Sequence, residues 1–238
     1  MLSTLTEIKK GHTGTGLLIE NDGYAFIKDP MNNKLNEALE PDDDGNVHIP
    51  YPFVVSAVFQ KYGIENANGR IYPEDILKRE VEKYQQAIKE RRAYGEENHP
   101  SSSSIDVGRI AMNIIELHWE GHTLVGQMEI PISYGFRKYG IVSTCADQVA
   151  QWIISGLKIG VSSRALGSVT QQGNALIVGD DLELVCWDVV SQPSTPGAWI
   201  EPSEEKLHQY IESEKKKGSL IAETENNKFD KFKDWLKD

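Results

Sequence analysis

The sequence predicts an α+β domain built on a largely antiparallel sheet or barrel. Three observations carry that expectation. Strand-like runs come first, a helix stands between strands and further strands follow, an order unlike alternating βαβ units. Two neighbouring runs, 109–121 and 122–130, meet at Gly121 as the arms of a hairpin do. The chain has 238 residues, 39% hydrophobic and 26% charged, which suits one ordinary core with extensions, or two small domains.

Each element has a local reason. Residues 1–50 are polar and uneven, with one strand-like run, "TGLLIE" at 15–20, and a loop at 40–50 rich in Asp, Gly and Pro. "YPFVVSAVFQKYG" at 51–63 is β-branched and aromatic, hence a strand, and "NANGRIYP" at 66–73 reads as a loop. A helix then begins near Pro73, with Glu74 and Asp75 at the positive end of its dipole. Leu77, Val81, Tyr84 and Ile88 form its apolar stripe, and "KERR" closes the basic end at 89–92. In the second hairpin arm Leu124, Gly126, Met128 and Ile130 alternate with Val125, Gln127 and Glu129. A second helix starts at Thr144 with a capping-box-like Asp147, buries Ala146, Val149, Ile153 and Leu157, and stops near Gly156. "KIGVSSRA", "NALIVG" and "LELVCWDVV" follow as strands. Ser203 caps a charged helix ending at Gly218, and the tail after it is polar. The segment 131–143 fits no pattern.

Composition excludes several functions. Lys plus Arg is 25 against 36 Asp plus Glu, a net charge of −11, and such a surface repels phosphate backbones, so nucleic acid is not expected as a partner. The two cysteines, Cys145 and Cys186, make no CxxC and no disulfide framework, which suits a reducing compartment. No apolar run approaches the about 18 residues of a membrane span and no secretory leader opens the chain, so a cytosolic protein without membrane contact is expected. The absence of HxH, CxxC and Gly-rich GK[ST] segments predicts no metal or other cofactor.

Acyl-transfer chemistry needs a nucleophile, a base within hydrogen-bond reach of it, donors for the oxyanion and a carboxylate that fixes the base's tautomer. Of the six histidines, His12 and His208 lie in polar segments, His118 and His122 flank a turn, and His48 lies in the loop at 40–50. His99, in "YGEENHPSSSSID", is held extended by Pro100 and reads either as a base on a loop rim or as a polar loop residue. Ser162 and Ser163, between Gly160 and Gly167, are either a nucleophile site or an exposed strand end. Chemistry does not choose between the two hydroxyls. Arg164 is either a surface charge or an aid to an oxyanion or carboxylate. Asp188 sits in the apolar strand "LVCWDVV" and needs a partner there, an arginine or His99.

"GEENHP", "GVSSRALGSV" and "WDVVSQPSTPGAW", with "NGRIYPEDIL" at 68–77, resemble in this order the prohead core proteases of T4-like bacteriophages, over about residues 52–202. The resemblance implies a distorted, mostly antiparallel β-barrel ringed by helices, similar to the herpesvirus assembly proteases. It divides the chain into an extension at 1–50, a serine protease domain at 51–202 and a charged helix and tail at 203–238. It also implies an endopeptidase packed in the immature capsid within the host cytoplasm, cutting scaffold, capsid proteins and finally itself. Ser162 matches the nucleophile, His99 the general base and Asp188 the orienting carboxylate, with backbone N–H groups at Ser163 and Arg164 as oxyanion donors. Such proteases favour Glu before the cut bond and Leu or Ile two residues earlier. That pattern stands at Glu7, Glu20, Glu37, Glu116 and Glu223, with Glu223 in the polar tail the expected self-cleavage site and Glu116 protected in a strand. Against this stands a non-catalytic virion or scaffold component of the same fold. Glu97, the serine run after His99 and the long acidic extension depart from the family pattern.

Overall fold

A computed structural model of the chain describes residues 6–20, 49–198 and 200–201. The expected helix after Ser203, the tail with Glu223, the acidic loop at 40–46, and His48 and His208 lie outside the described residues.

The described residues form ten strands and three α-helices in two five-stranded sheets. In the first sheet the central strand is β7, Gly160–Gln172. On one side it pairs antiparallel with β1, Gly14–Ile19. On the other it pairs with β9, Glu183–Val190, and further along with β8, Ala175–Val178. The two-residue β3, Arg70–Ile71, lies parallel to β8. The second sheet runs β10, Ile200–Glu201, then β2, Phe53–Lys61, then β6, Thr123–Ile130, then β5, Ile110–Glu120, then β4, Tyr94–Glu96.

The expected barrel does not close. The sheets meet through single bonds: Asn98 N–H donates to the Val189 carbonyl at 2.8 Å, and Ile200 N–H to that of Ile159 at 3.0 Å. The ladders of the second sheet are interrupted by register shifts in β2, in β5 and at Gly95–Glu96.

The local predictions have clear physical counterparts. Helix α1, Glu74–Lys89, starts after Pro73 and buries Leu77, Val81 and Tyr84. Helix α3, Cys145–Ile154, carries the capping box: Thr144 accepts from Asp147 N–H and Asp147 accepts from Thr144 N–H. Leu157 lies past the helix end and is 57% exposed, so the buried stripe stops at Ile153. The patternless segment holds helix α2, Tyr134–Tyr139, capped by Ser133 and stopped by Gly140 in the left-handed region. Behind β7, Leu18, Tyr72, Ile76, Leu77, Ala165, Val169 and Leu176 share one apolar cluster, so β1 buries a side chain in the core as well as pairing with the sheet.

Candidate active site

Three elements deliver the candidate residues. Ser162 and Asp188 face each other in register across β7 and β9, and opposed residues of an antiparallel pair point to the same face. Trp187 fixes β9 beside them: its ring packs edge-on against Phe59 and Tyr84 at 5.6 and 5.1 Å. His99 arrives on the turn after β4. Asn98 takes a left-handed conformation, φ 63°, tolerable for Asn, and redirects the chain so that the imidazole enters the protein. A Cβ on Gly95 would lie 2.1 Å from the Trp187 carbonyl, so glycine is what lets β4 approach β9 this closely.

His99 Nδ1 lies 2.7 Å from Asp188 Oδ2, with side chains 1% and 0% exposed. A carboxylate accepts, so Nδ1 carries the proton and donates, which leaves Nε2 with its lone pair. Nε2 is buried and makes no hydrogen bond. Asp188 is held from three further directions: Glu96 N–H donates to Oδ1 at 2.9 Å, the Cys186 thiol at 3.3 Å, and Arg164 Nη2 at 3.1 Å. Arg164 Nε also makes an ion-pair contact with Oδ2 at 2.9 Å. The same guanidinium reaches Glu96 Oε2 at 2.8 Å and the Ser102 carbonyl at 2.6 Å. Both partners considered for Asp188, an arginine and His99, are therefore present. One guanidinium thus lies between two carboxyl groups, one of which also meets the imidazole. Burial, and then the Asp188 charge, push the Cys186 thiol well above its usual range, so it stays a neutral donor.

The Ser162 hydroxyl donates to the backbone carbonyl of Glu20, the residue after β1. Its partner is thus the chain's own amino-terminal segment. Ser163 is 3% exposed.

The sequence marks Glu20 only as one of several pattern matches, and nothing local in it shows the surroundings of that side chain. Its side chain is fully buried. Oε1 accepts from Arg70 Nη1 at 2.9 Å and from the Tyr72 hydroxyl. Oε2 accepts from Asn66 Nδ2 at 2.7 Å, Asn68 Nδ2 at 2.6 Å and Ser194 Oγ at 3.2 Å. Burial raises the Glu20 pKa, but the Arg70 charge and the hydrogen bonds from Tyr72, Asn68 and Arg70 outweigh it, and the carboxyl sits below its ordinary value. Burial and the Glu20 charge push the Tyr72 phenol well above its usual range, so it remains a donor. Nothing local in the sequence shows the surroundings of Glu96 either. Of the other histidines, His12 is exposed, His118 is exposed and bonded to Glu116, and His122 is exposed at the β5–β6 turn.

Three comparisons bear on this arrangement. A family model described as prohead core protein serine protease matches residues 17–209. The prohead core protein protease of Enterobacteria phage T4 is 31% identical over 179 residues, 74% of this chain and 81% of that protein. The solved structure of the bacteriophage T4 capsid assembly protease is similar, with a TM-score of 0.54 and 26% identity, covering 73% of this chain and 96% of that one.

Proposed function

The chain belongs to the prohead core protein serine protease family, and from that premise we propose a serine endopeptidase of capsid maturation that cuts its own amino-terminal segment after Glu20. Once free of the segment it cuts scaffold and capsid proteins inside the prohead after glutamate in the [Leu/Ile]-x-Glu pattern. The observation that carries this reading is the bond from the Ser162 hydroxyl to the Glu20 carbonyl, beside a buried His99–Asp188 pair. Leu18 on β1 and Glu20 just after it stand two residues apart, which is the spacing the pattern demands.

β1 pairs with β7 as a substrate strand would, from Gly14 opposite Val169 to Ile19 opposite Arg164, and brings the Glu20 carbonyl to the proposed nucleophile. In the proposed relay Nε2 of His99 takes the Ser162 hydroxyl proton as Oγ attacks the Glu20 carbonyl carbon. The imidazolium is supported by Asp188, and it returns the proton to the Asn21 nitrogen as the Glu20–Asn21 bond breaks. Water then releases the acyl group by the same relay. Arg164 positions Asp188 through its side chain. The backbone N–H groups of Ser163 and Arg164 are the proposed oxyanion donors, and Glu223 is a proposed second self-cleavage site.

Incubated wild-type protein should lose residues 1–20, read by intact mass, and Ser162→Ala should retain them, with cleavage slowed by about 10⁴-fold or more. Equal loss of the segment in both proteins would overturn the reading.

A further inference from the structure

We propose that Asn66, Asn68, Arg70, Tyr72 and Ser194 form the pocket that selects glutamate in substrates cut in trans, with Arg70 the residue that reads the charge. This rests on the proposed protease function and names its specificity site.

The argument starts from where the bonds of these side chains go. Arg70 is 1% exposed, and its side chain donates to the Ile8 carbonyl at 2.5 Å, the Ile19 carbonyl at 3.0 Å and Glu20 Oε1 at 2.9 Å. Among the described residues, each of these partners belongs to the segment 8–20. The Tyr72 and Ser194 hydroxyls likewise donate to Glu20, and Asn68 Nδ2 to Glu20 and the Ile19 carbonyl. When that segment leaves, a buried guanidinium, two amides and two hydroxyls lose acceptors, and an incoming glutamate supplies a carboxylate to them again. By contrast Arg164, also buried, finds its acceptors on β4, β9 and the loop after β4.

The pocket is shaped before its ligand enters. Asn66 Oδ1 accepts the backbone N–H groups of Asn68 and Arg70, both at 3.0 Å, which fixes the amide so that Nδ2 faces the carboxylate. Asn66 N–H donates to the Arg70 carbonyl at 2.9 Å, and Gly69 at φ 74° closes the turn. Asn66 and Asn68 belong to this turn, Arg70 to β3 and Tyr72 follows it, and all four side chains reach the Glu20 carboxylate.

Donor chemistry sets the selectivity. Two carboxylate oxygens offer about four acceptor sites, and five donor groups converge on them here. Glutamine would aim an NH₂ group at donors and leave Arg70 buried beside a neutral group. Aspartate is one methylene too short to fill the same positions.

The test is cleavage in trans by the full chain of a peptide with the sequence of residues 14–26, or its Glu20→Gln counterpart, with the kcat/KM ratio as readout. Wild type should prefer the glutamate peptide by about 100-fold or more. Arg70→Met should lower kcat/KM for that peptide by about 100-fold, spare the glutamine peptide and bring the ratio near one. Asn68→Asp keeps the shape but sets a second carboxylate against the ligand, and should invert the ratio. Since the ratio is read within each variant, Asn68→Asp decides the matter if Arg70→Met does not fold. A wild-type ratio kept by both variants, with cleavage still lost in Ser162→Ala, would overturn the pocket and leave the protease standing. Wild-type protein that cuts neither peptide would overturn both, before any pocket variant is made.

Discussion

Two arginines are buried in this site, and their surroundings differ in one instructive way. Arg164 has a side chain 0% exposed and is held by Glu96, Asp188, Cys186 and the Ser102 carbonyl, which come from β4, β9 and the loop between β4 and β5. Arg70 has a side chain 2% exposed and is held by Ile8, Ile19 and Glu20, which come from one amino-terminal stretch. The first binds three parts of the fold to one another and stays satisfied whatever occupies the cleft. The second is satisfied by that one stretch, within residues 8–20. A buried charge answered by the scaffold is framework, and one answered by a single peripheral segment is a socket. Which kind a buried cation is depends on the origin of its partners more than on its depth.

The largest expected effect tests that distinction directly. Arg164→Met leaves Glu96 and Asp188 buried without their cation, and should destabilise the chain by about 3–5 kcal/mol and abolish cleavage. Arg70→Met should also destabilise the intact chain, because Glu20 then has no counter-charge. The two part company in a double-mutant cycle with Glu20→Gln. Arg70 and Glu20 touch, so their changes should be non-additive by about 1–3 kcal/mol. Arg164 shares no partner with the Glu20 carboxylate, so that pair should add within about 0.5 kcal/mol. Urea unfolding of the four proteins in each cycle measures this, and equal coupling in both would erase the contrast between framework and socket.

A smaller effect sharpens the socket side. Glu20→Gln alone keeps the size and hydrogen-bonding length of the side chain while removing its charge. Self-cleavage at that bond should slow by about 100-fold in a mass-resolved time course, and the Ser162-reactive state should be otherwise preserved. Unaltered cleavage at position 20 would mean that the carbonyl is presented by the β1–β7 ladder without help from the pocket.

The sequence made local structure legible and left long-range structure hidden. Helix α1 announced itself through Pro73 and a helical stripe, α3 through a capping box spanning three residues, and the β5–β6 hairpin through Gly121. Strand β4 escaped because its three residues have little pattern of their own and owe their place to β5 and β9. Helix α2 escaped because six residues carry too little periodicity, though its Ser133 cap and Gly140 stop are ordinary signals. At the site, chemistry alone left His99, Ser162 and Asp188 open, and the order of four motifs is what joined them. The stretch expected as a loop holds a turn and the two-residue β3, and nothing local marks Asn66, Asn68, Arg70 and Tyr72 as a set. Its purpose depends on a glutamate 46 residues before Asn66, which no window of local pattern spans.

The smallest effect concerns acid, and it separates the two arginines by pH. Glu20 has a docked pKa below its ordinary value, so docking of β1 gains from its ionisation. That gain is complete above the undocked carboxylate value of about 4.3 and is lost as pH falls through the lowered, docked value, where protonated Glu20 no longer satisfies Arg70. Arg70 itself stays charged: burial lowers its pKa, but the Glu20 charge and hydrogen bond more than restore it. Glu80 and Asp147 also sit below their ordinary values despite burial, held down by Lys83 and Arg79 for one and by the Ser133 and Ser143 N–H groups for the other, so global stability declines over the same range. The readout must therefore be local. Hydrogen exchange at the amides of residues 14–19 should accelerate on acidification ahead of those in β9, and Glu20→Gln should remove that lead. If β1 and β9 lose protection together in wild-type protein, then the segment opens with the whole fold, and Arg70 belongs to the framework after all.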